Sequence, residues 1–162
     1  MQEAGTCVCD SPAEIGEETK KPIMSVERTF SIIKPDAVAA GHAGEILAAI
    51  EAAGFKILAV RMTRLSEAQA RGFYAVHAAK PFYTGLVKFM TEGPIIVMAL
   101  ERDNAIAGLR EVMGATNPEK AAEGTIRKRF ATSIERNCIH GSDAPETAAV
   151  ELGFFFGAGE LL

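Results

Sequence analysis

Apolar residues recur along the chain with two spacings, which predict alternating strands and helices. Three short, nearly continuous apolar runs predict buried strands at 28–34, 55–62 and 94–100. Apolar residues three and four positions apart predict helices at 43–53, at 66–74, after Pro81, at 103–114 and at 143–156. A short strand is predicted at 136–139, and the weakly periodic stretch 115–135 predicts a long, partly helical loop of the kind that is usually functional.

Four local patterns predict where helices begin and end. Ser66-x-x-Gln69 has the spacing of a capping box, and Asp143-x-x-Glu146 is expected to open the last helix. Asp103 is expected to cap the helix that follows the third strand. Gly54 is expected to end the first helix.

The order of these elements is strand, helix, strand, helices, strand, helix, strand, helix. It predicts an α+β fold, with a ferredoxin-like split β-α-β arrangement and a four-stranded antiparallel sheet covered by helices. The length of 162 residues and a hydrophobic content of 48% fit one domain with a sizeable core.

Residues 1–26 differ from the rest, and we expect a disordered leader followed by one folded domain at 27–162. The leader has five carboxylates against two lysines and no apolar stretch typical of a secretion signal. No apolar run approaches the ~18 residues of a membrane-spanning helix, so no membrane association is predicted. The net charge of −4 argues against a general nucleic-acid binder.

The three cysteines, Cys7, Cys9 and Cys138, are too few and too unevenly spaced for a disulfide framework. They fit a reducing compartment, so a cytoplasmic location is expected. Cys7-x-Cys9 lacks nearby partners for a metal site, and an inert pair is the favoured interpretation. Cys138 is expected to point into the core.

Nucleotide chemistry in this chain would have to rely on side chains, because the sequence has neither a Walker loop nor a G-x-G-x-x-G segment. Lys34, Arg110 and Arg127 lie near predicted element ends and are candidates to hold phosphates, although each is also explained as a solvated cation. His140, before Gly141-Ser142-Asp143, is a candidate nucleophile. Taken alone, a histidine in such a position is more often a surface or structural residue.

Considered together, five segments resemble the nucleoside diphosphate kinase family over residues 27–161. The segments are ERTFSIIKPDAV (27–38), FYAVHAAKPFYTGLVKFM (73–90), GATNP (114–118), GTIR (124–127) and NCIHGSD (137–143). The resemblance implies an enzyme that reversibly transfers the γ-phosphate of a nucleoside triphosphate to a nucleoside diphosphate. The implied mechanism is ping-pong, through a phosphohistidine on His140.

The same resemblance implies roles for the surrounding residues. Those expected to hold phosphates are Lys34, Arg110, Thr116 and Arg127. The residues expected to assist His140 are Tyr74, which hydrogen-bonds near Lys34 and the phosphate, and Ser142 and Glu151, which support the imidazole. The remaining contacts are with the nucleoside: stacking on the base by Phe82 with Leu86 alongside, and contact with the sugar by Asn137 and Lys34.

Implied partners are nucleoside di- and triphosphates, with Mg²⁺ held mainly through the substrate phosphates. A homo-oligomer built from dimers, a tetramer or a hexamer, is also implied. Two positions depart from the family pattern: Ala40 replaces a common basic residue, and Arg129 replaces a common acid, which puts local ion pairing in doubt.

Two other functions compete with the enzyme. A binding or regulatory protein could keep the fold without catalysis, but it would be expected to have lost one of His140, Lys34, Arg110 or Arg127. Binding of nucleic acid through Lys128-Arg129 is a weaker interpretation, because two adjacent charges make a small footprint.

Overall fold

The computed structural model describes residues 26–161. The predicted leader, apart from Val26, and the Cys7-x-Cys9 pair therefore lie outside the described residues. The strands are β1 (Val26–Ile33), β2 (Lys56–Thr63), β3 (Ile95–Asp103) and β4 (Ile139–Gly141). The helices are α1 (Pro35–Ala39), α2 (Ala43–Ala52), α3 (Glu67–Phe73), α4 (Tyr83–Thr91), α5 (Ala105–Met113), α6 (Ile126–Phe130) and α7 (Pro145–Phe155).

The four strands form one antiparallel sheet in the order β2-β3-β1-β4, which confirms the predicted α+β fold. Ile32, near the end of β1, pairs with Val97 of β3 on one side and with His140 of β4 on the other. Pairing with the central strand β1 thus fixes the register of the edge strand β4, which carries His140.

Helices cover both faces of the sheet, and β3 shows why. Ile95, Val97 and Ala99 face a core that includes side chains of α3, α4 and α7. The alternate residues Ile96, Met98 and Leu100 face a second core with side chains of α1, α2, α5 and α6. A strand buried on both faces needs apolar residues at every position, which explains the continuous run at 94–100.

Two predicted elements have different positions in the structure. The last strand is Ile139–Gly141 rather than 136–139, so His140 lies within the strand and does not follow it. Register with β1 decides this, because the pairing reaches from Ile139 to Gly141. The sequence prediction also lacked α1, a five-residue helix in which Pro35 takes the first position and Lys34 is the N-cap residue.

The predicted capping box at Ser66 and Gln69 is confirmed, since each side chain bonds to the other residue's backbone N–H. The predicted cap at Asp103 is wrong, because Asp103 ends β3 and Asn104 precedes α5. Glu27 of β1 caps this helix instead: its carboxylate accepts a 2.9 Å hydrogen bond from the backbone N–H of Ile106.

The predicted opening of the last helix is only partly right. At α7, Thr147 rather than Glu146 reaches back, and its hydroxyl accepts a 3.0 Å bond from the backbone N–H of Ala144. Gly54 follows α2 with a φ of 83°, in agreement with its predicted role as a stop.

The unusual Arg129 has an ion-pair partner in this fold. Its guanidinium lies 2.9 Å from the carboxylate of Glu45 on α2 and stacks over the ring of Phe130. The neighbouring Lys128 lies 3.6 Å from Glu123. Both members of the basic pair therefore have acidic neighbours, which weakens the interpretation as a nucleic-acid site.

Candidate active site

His140 lies on the edge strand β4, where alternation of side chains sends it to the opposite face from Ile139. Its ring lies against the rings of Phe73, Phe30 and Tyr74, with centroid distances of 5.7, 6.2 and 6.2 Å. The side chain remains 23% exposed. The aromatic wall therefore fixes the imidazole and leaves one side open to solvent.

A carboxylate on α7 sets the tautomer of His140. The Nε2 atom of His140 lies 2.9 Å from Oε1 of Glu151, and the hydroxyl of Ser142 donates a 2.6 Å bond to the other carboxylate oxygen. A carboxylate accepts hydrogen bonds only, so Nε2 carries the proton in this pair. The Nδ1 atom then has a free lone pair that faces away from the carboxylate.

Lys34 follows β1 and is buried, with its ammonium donating a 2.6 Å hydrogen bond to Oδ1 of Asn137. Burial, and then the positive charge of Arg127, lower the pKa of Lys34 to about 8, while Asp36 opposes the shift. The structure therefore brings together Lys34 and Asn137, which the sequence had assigned to the same ligand.

Arg127 extends from the short helix α6 and is also buried. It donates hydrogen bonds of 2.9 Å to the carbonyl of Gly114 and 3.0 Å to the carbonyl of Ile139. Its Nε has no hydrogen-bond partner among the described residues. Burial, and then the charge of Arg110, lower its pKa to about 10. The group remains a cation at neutral pH and is fixed beside β4.

A cavity of about 440 Å³ beside α5 collects three of the four predicted phosphate ligands. These three are Arg110, Thr116 and Arg127. Lys120 also lines the cavity, and the sequence analysis did not single it out. Its position in the loop predicted to be functional was the available clue. Three cationic side chains around one cavity favour a polyanionic ligand.

Tyr74 ends α3, and its ring is buried beside His140. Burial, followed by the charge of Glu151, raises the pKa of its hydroxyl, so the group stays protonated. The hydroxyl has no hydrogen-bond partner among the described residues, so the predicted bond near Lys34 and the phosphate stays a prediction. A buried hydroxyl in this state is available to a ligand.

Phe82 and Leu86 lie at the start of α4, one helical turn apart. Phe82 is 51% exposed, whereas Leu86 packs against the core. His77 lies between Phe82 and Tyr74, with ring distances of 5.7 and 6.4 Å. An exposed aromatic face in a series of rings that leads towards His140 suits a flat, apolar group.

Cys138 is the residue whose predicted environment is confirmed most directly. It is buried, and burial together with the charge of Asp36 raises the pKa of its thiol to about 12. A thiol of this kind is inert at neutral pH. No cluster of three metal-binding side chains occurs in residues 26–161, and none of the helices there is long and apolar enough to cross a membrane.

Comparisons with known proteins assign this arrangement to a family. The family model described as nucleoside diphosphate kinase matches residues 27–161. The chain is 58% identical over 137 residues to the nucleoside diphosphate kinase of Nitratidesulfovibrio vulgaris (strain DP4), covering 85% of this chain and 99% of the relative. It is 59% identical over 139 residues to that of Methylobacterium sp. (strain 4-46), covering 86% and 99%.

The chain belongs to the nucleoside diphosphate kinase family. It is a phosphotransferase of the family that exchanges a γ-phosphate between nucleotides by a ping-pong mechanism.

Solved structures of nucleoside diphosphate kinases share the fold. The enzyme of Aquifex aeolicus matches with a TM-score of 0.83 and 42% identity, over 85% of this chain and 100% of that one. The halophilic enzyme of Halobacterium salinarum, solved in complex with CDP, matches with a TM-score of 0.81 and 39% identity, over 85% and 92%.

Proposed function

We propose that this nucleoside diphosphate kinase transfers the γ-phosphate through Nδ1 of His140. The observation that carries the proposal is the hydrogen bond between Nε2 of His140 and Glu151, which leaves Nδ1 unprotonated. The open side of the imidazole and the neighbouring cationic cavity add support. A binding protein without catalysis would not need a nucleophile held in one tautomer.

In the first half-reaction, the lone pair of Nδ1 attacks the γ-phosphorus of a nucleoside triphosphate. The bond between this phosphorus and the β–γ bridging oxygen breaks, and its electrons leave with the nucleoside diphosphate. Glu151 faces the ring nitrogen opposite to the one that gains the phosphoryl group, so its negative charge stabilises the cationic imidazole. An acceptor diphosphate then reverses the same step.

The proposed phosphate ligands are Lys34, Arg110, Thr116 and Arg127. Arg110, Thr116 and Arg127 border one cavity. Arg127 also lies close enough to Lys34 for its positive charge to lower the pKa of the lysine. Tyr74 offers a buried, protonated hydroxyl without a protein partner. We assign this hydroxyl to the transferring phosphate.

The nucleoside is proposed to stack on Phe82, with Leu86 beside it, and its sugar hydroxyl to contact Lys34 and Asn137. Half of the Phe82 surface is exposed, and a ring offers a π-face without hydrogen bonds to a base edge. The Lys34–Asn137 pair has an ammonium and an amide, both of which suit a hydroxyl. Broad acceptance of bases follows.

Mg²⁺ is proposed to arrive with the nucleotide phosphates. The described residues fit an ion carried by the ligand, because the cavity has only one carboxylate, that of Glu111, and no three-ligand cluster lies in residues 26–161. A magnesium ion bound to the phosphates would neutralise part of their charge. Lys34, Arg110 and Arg127 then neutralise the remainder.

A homo-oligomer built from dimers, a tetramer or a hexamer, remains the proposed assembly. β2 is an edge strand of the sheet, and its Val60 and Met62 are 52% and 61% exposed, which suits a contact with a second copy. We also keep the proposed cytoplasmic location, supported by Cys138, a buried free thiol.

The test is steady-state kinetics of the wild type and of His140→Ala. We expect parallel double-reciprocal lines for the wild type, as a ping-pong route requires, and loss of activity in the variant with an unchanged circular dichroism spectrum. His42→Ala is the control, because His42 stacks on Phe130 at the end of α6 and has no assigned role in catalysis. Activity of His140→Ala near the wild-type level would refute the proposal.

A further inference from the structure

The chain makes an unusual turn two residues before His140. Cys138 has a φ of 66°, and the backbone N–H of Ile139 donates a 2.7 Å hydrogen bond to the carbonyl of Asn137 across it. This is a γ-turn with a left-handed central residue, a rare and strained conformation. The other described non-glycine residue with a positive φ is Asn104, whose side chain tolerates that conformation much better than cysteine does.

The segment 34–36, which follows β1 and begins α1, holds this turn. The backbone N–H of Cys138 donates a 3.1 Å hydrogen bond to Oδ2 of Asp36, and the carbonyl of Cys138 accepts a 2.8 Å bond from the backbone N–H of Lys34. The Lys34 ammonium holds Asn137 as well. Asp36 therefore supplies the single side-chain bond to the backbone of the strained residue.

Two observations separate Asp36 from an ordinary acidic residue in a first helical turn. α1 has only five residues, so its dipole offers little reason to bury a carboxylate. The second oxygen, Oδ1, is buried and has no hydrogen-bond partner in the described part of the chain. Such a placement costs desolvation free energy, which the bond to Cys138 and the positive charge of Lys34 offset.

We propose that Asp36 is a positioning residue that holds Cys138 in its left-handed conformation and thereby sets the position of His140 for phosphoryl transfer. This inference rests on the proposed role of His140 as nucleophile. Cys138 and His140 are separated only by Ile139, whose carbonyl is fixed by Arg127. A change at the turn therefore displaces both the nucleophile and the bond that orders Arg127.

Loss of the Asp36 carboxylate leaves a buried backbone N–H without a partner, and the turn is expected to relax towards negative φ. A displacement of about 1 Å between reacting groups lowers a rate by about 100-fold. We expect Asp36→Ala to lower kcat by about 10- to 100-fold and to raise KM by a smaller factor, because Phe82 and Arg110 lie outside the turn whereas Arg127 bonds to Ile139.

The decisive comparison uses a second substitution at the strained residue. Glycine adopts positive φ without a steric penalty, so Cys138→Gly removes the need for an external restraint. Cys138→Ala is the matched control, since it also shortens the side chain but keeps the penalty. The variants are Asp36→Ala, Asp36→Asn, each cysteine substitution alone, and the two double variants with Asp36→Ala.

The measurement is the single-turnover rate at which ATP phosphorylates the protein. We expect Asp36→Asn to stay within about fivefold of the wild type, because its amide oxygen can still accept the bond from Cys138. We expect Asp36→Ala/Cys138→Gly to recover to within about fivefold of Cys138→Gly alone, and Asp36→Ala/Cys138→Ala to remain as slow as Asp36→Ala.

Equal rates in the two double variants, or a wild-type rate in Asp36→Ala, would overturn the inference. If Asp36→Ala does not fold, folded yield replaces the rate: glycine at position 138 should restore it and alanine should not, and equal failure would also overturn it. An active His140→Ala would refute the proposed nucleophile. A normal rate in Asp36→Ala, with His140→Ala inactive, would refute only the role of Asp36.

Discussion

The Nε2 atom of His140 lies 2.9 Å from Oε1 of Glu151, and this contact decides which ring nitrogen can act as a nucleophile. Glu151 is itself fixed by Ser142, whose hydroxyl also accepts a 3.3 Å hydrogen bond from the backbone N–H of Phe30 in β1. The orientation of the imidazole is therefore tied, through two side chains, to the centre of the sheet.

The first prediction concerns Glu151. Glu151→Ala should lower kcat by roughly 10- to 100-fold with little change in KM, because partners that orient an imidazole act on its chemistry more than on ligand binding. Glu146→Ala, at an exposed position in the first turn of the same helix, is the control and should behave as the wild type. An equal loss in both variants would mean that α7, not the carboxylate, is responsible.

The second prediction concerns the pH dependence of nucleotide binding. The folded-state pKa of Lys34 is lowered to about 8, so the lysine is protonated below this value and loses its charge as the pH rises through it. Affinity for ADP and kcat/KM should therefore decline above pH 8. Cys138, whose pKa is raised to about 12, does not titrate in this range.

Lys34→Arg is the matched variant for this prediction. Arginine remains charged throughout the range, so the decline of ADP affinity above pH 8 should disappear even if the absolute affinity falls. The affinity is measured by isothermal titration calorimetry between pH 6.5 and 9.5. The same decline in the variant would assign it to a group other than Lys34.

The third prediction concerns Phe82. Loss of base stacking costs ~1–3 kcal/mol, so Phe82→Ala should weaken nucleotide affinity by about 5- to 150-fold. Phe82→Tyr, which keeps the ring, should stay near the wild type. With ADP, GDP, CDP and UDP as acceptors, kcat/KM should differ by less than about 100-fold. A larger preference for one base would demand a hydrogen bond to the base edge.

The sequence predicted which strands and main helices follow one another along the chain, because strong apolar runs and one capping box marked them. It placed the start of β4 three residues too early, since only pairing with β1 selects the register of so short a strand. It lacked the turn at Cys138, because nothing in the residue type announces a positive φ there. The family resemblance, rather than spacing, identified the individual site residues.

The same limits apply to contacts made across the fold. The carbonyl of Gly114 accepts a hydrogen bond from Arg127, and the carboxylate of Glu27 caps the start of α5. Neither contact is marked by a local pattern in the sequence. Both contacts join residues that are distant in the sequence and meet only in the folded chain. Arg129 is a further case, because its partner Glu45 lies on a different helix.

The fourth prediction concerns the close packing beside His140. A Cβ atom at Gly141 would lie 2.7 Å from the sulfur of Met113 and 3.0 Å from a methyl group of Leu109. Gly141→Ala should therefore lower the free energy of unfolding by about 1–3 kcal/mol and reduce activity by displacing β4. Denaturant unfolding and kcat measure the two effects.

Gly153→Ala is the matched control for that prediction. Gly153 lies in α7 with no atom within 4 Å of an added Cβ, so alanine should stabilise the protein by about 0.5–1 kcal/mol and leave activity unchanged. If Gly141→Ala proved as stable as Gly153→Ala, the packing between β4 and α5 would be looser than described.

The most direct test of the account is the site of phosphorylation. The protein is incubated with γ-labelled ATP, and the label is located by mass spectrometry under alkaline conditions that preserve phosphohistidine. We predict one label per chain, on His140, that is acid-labile and is discharged by ADP at a rate no slower than turnover. Label on any other residue, or turnover without a phosphorylated protein, would contradict the central claim.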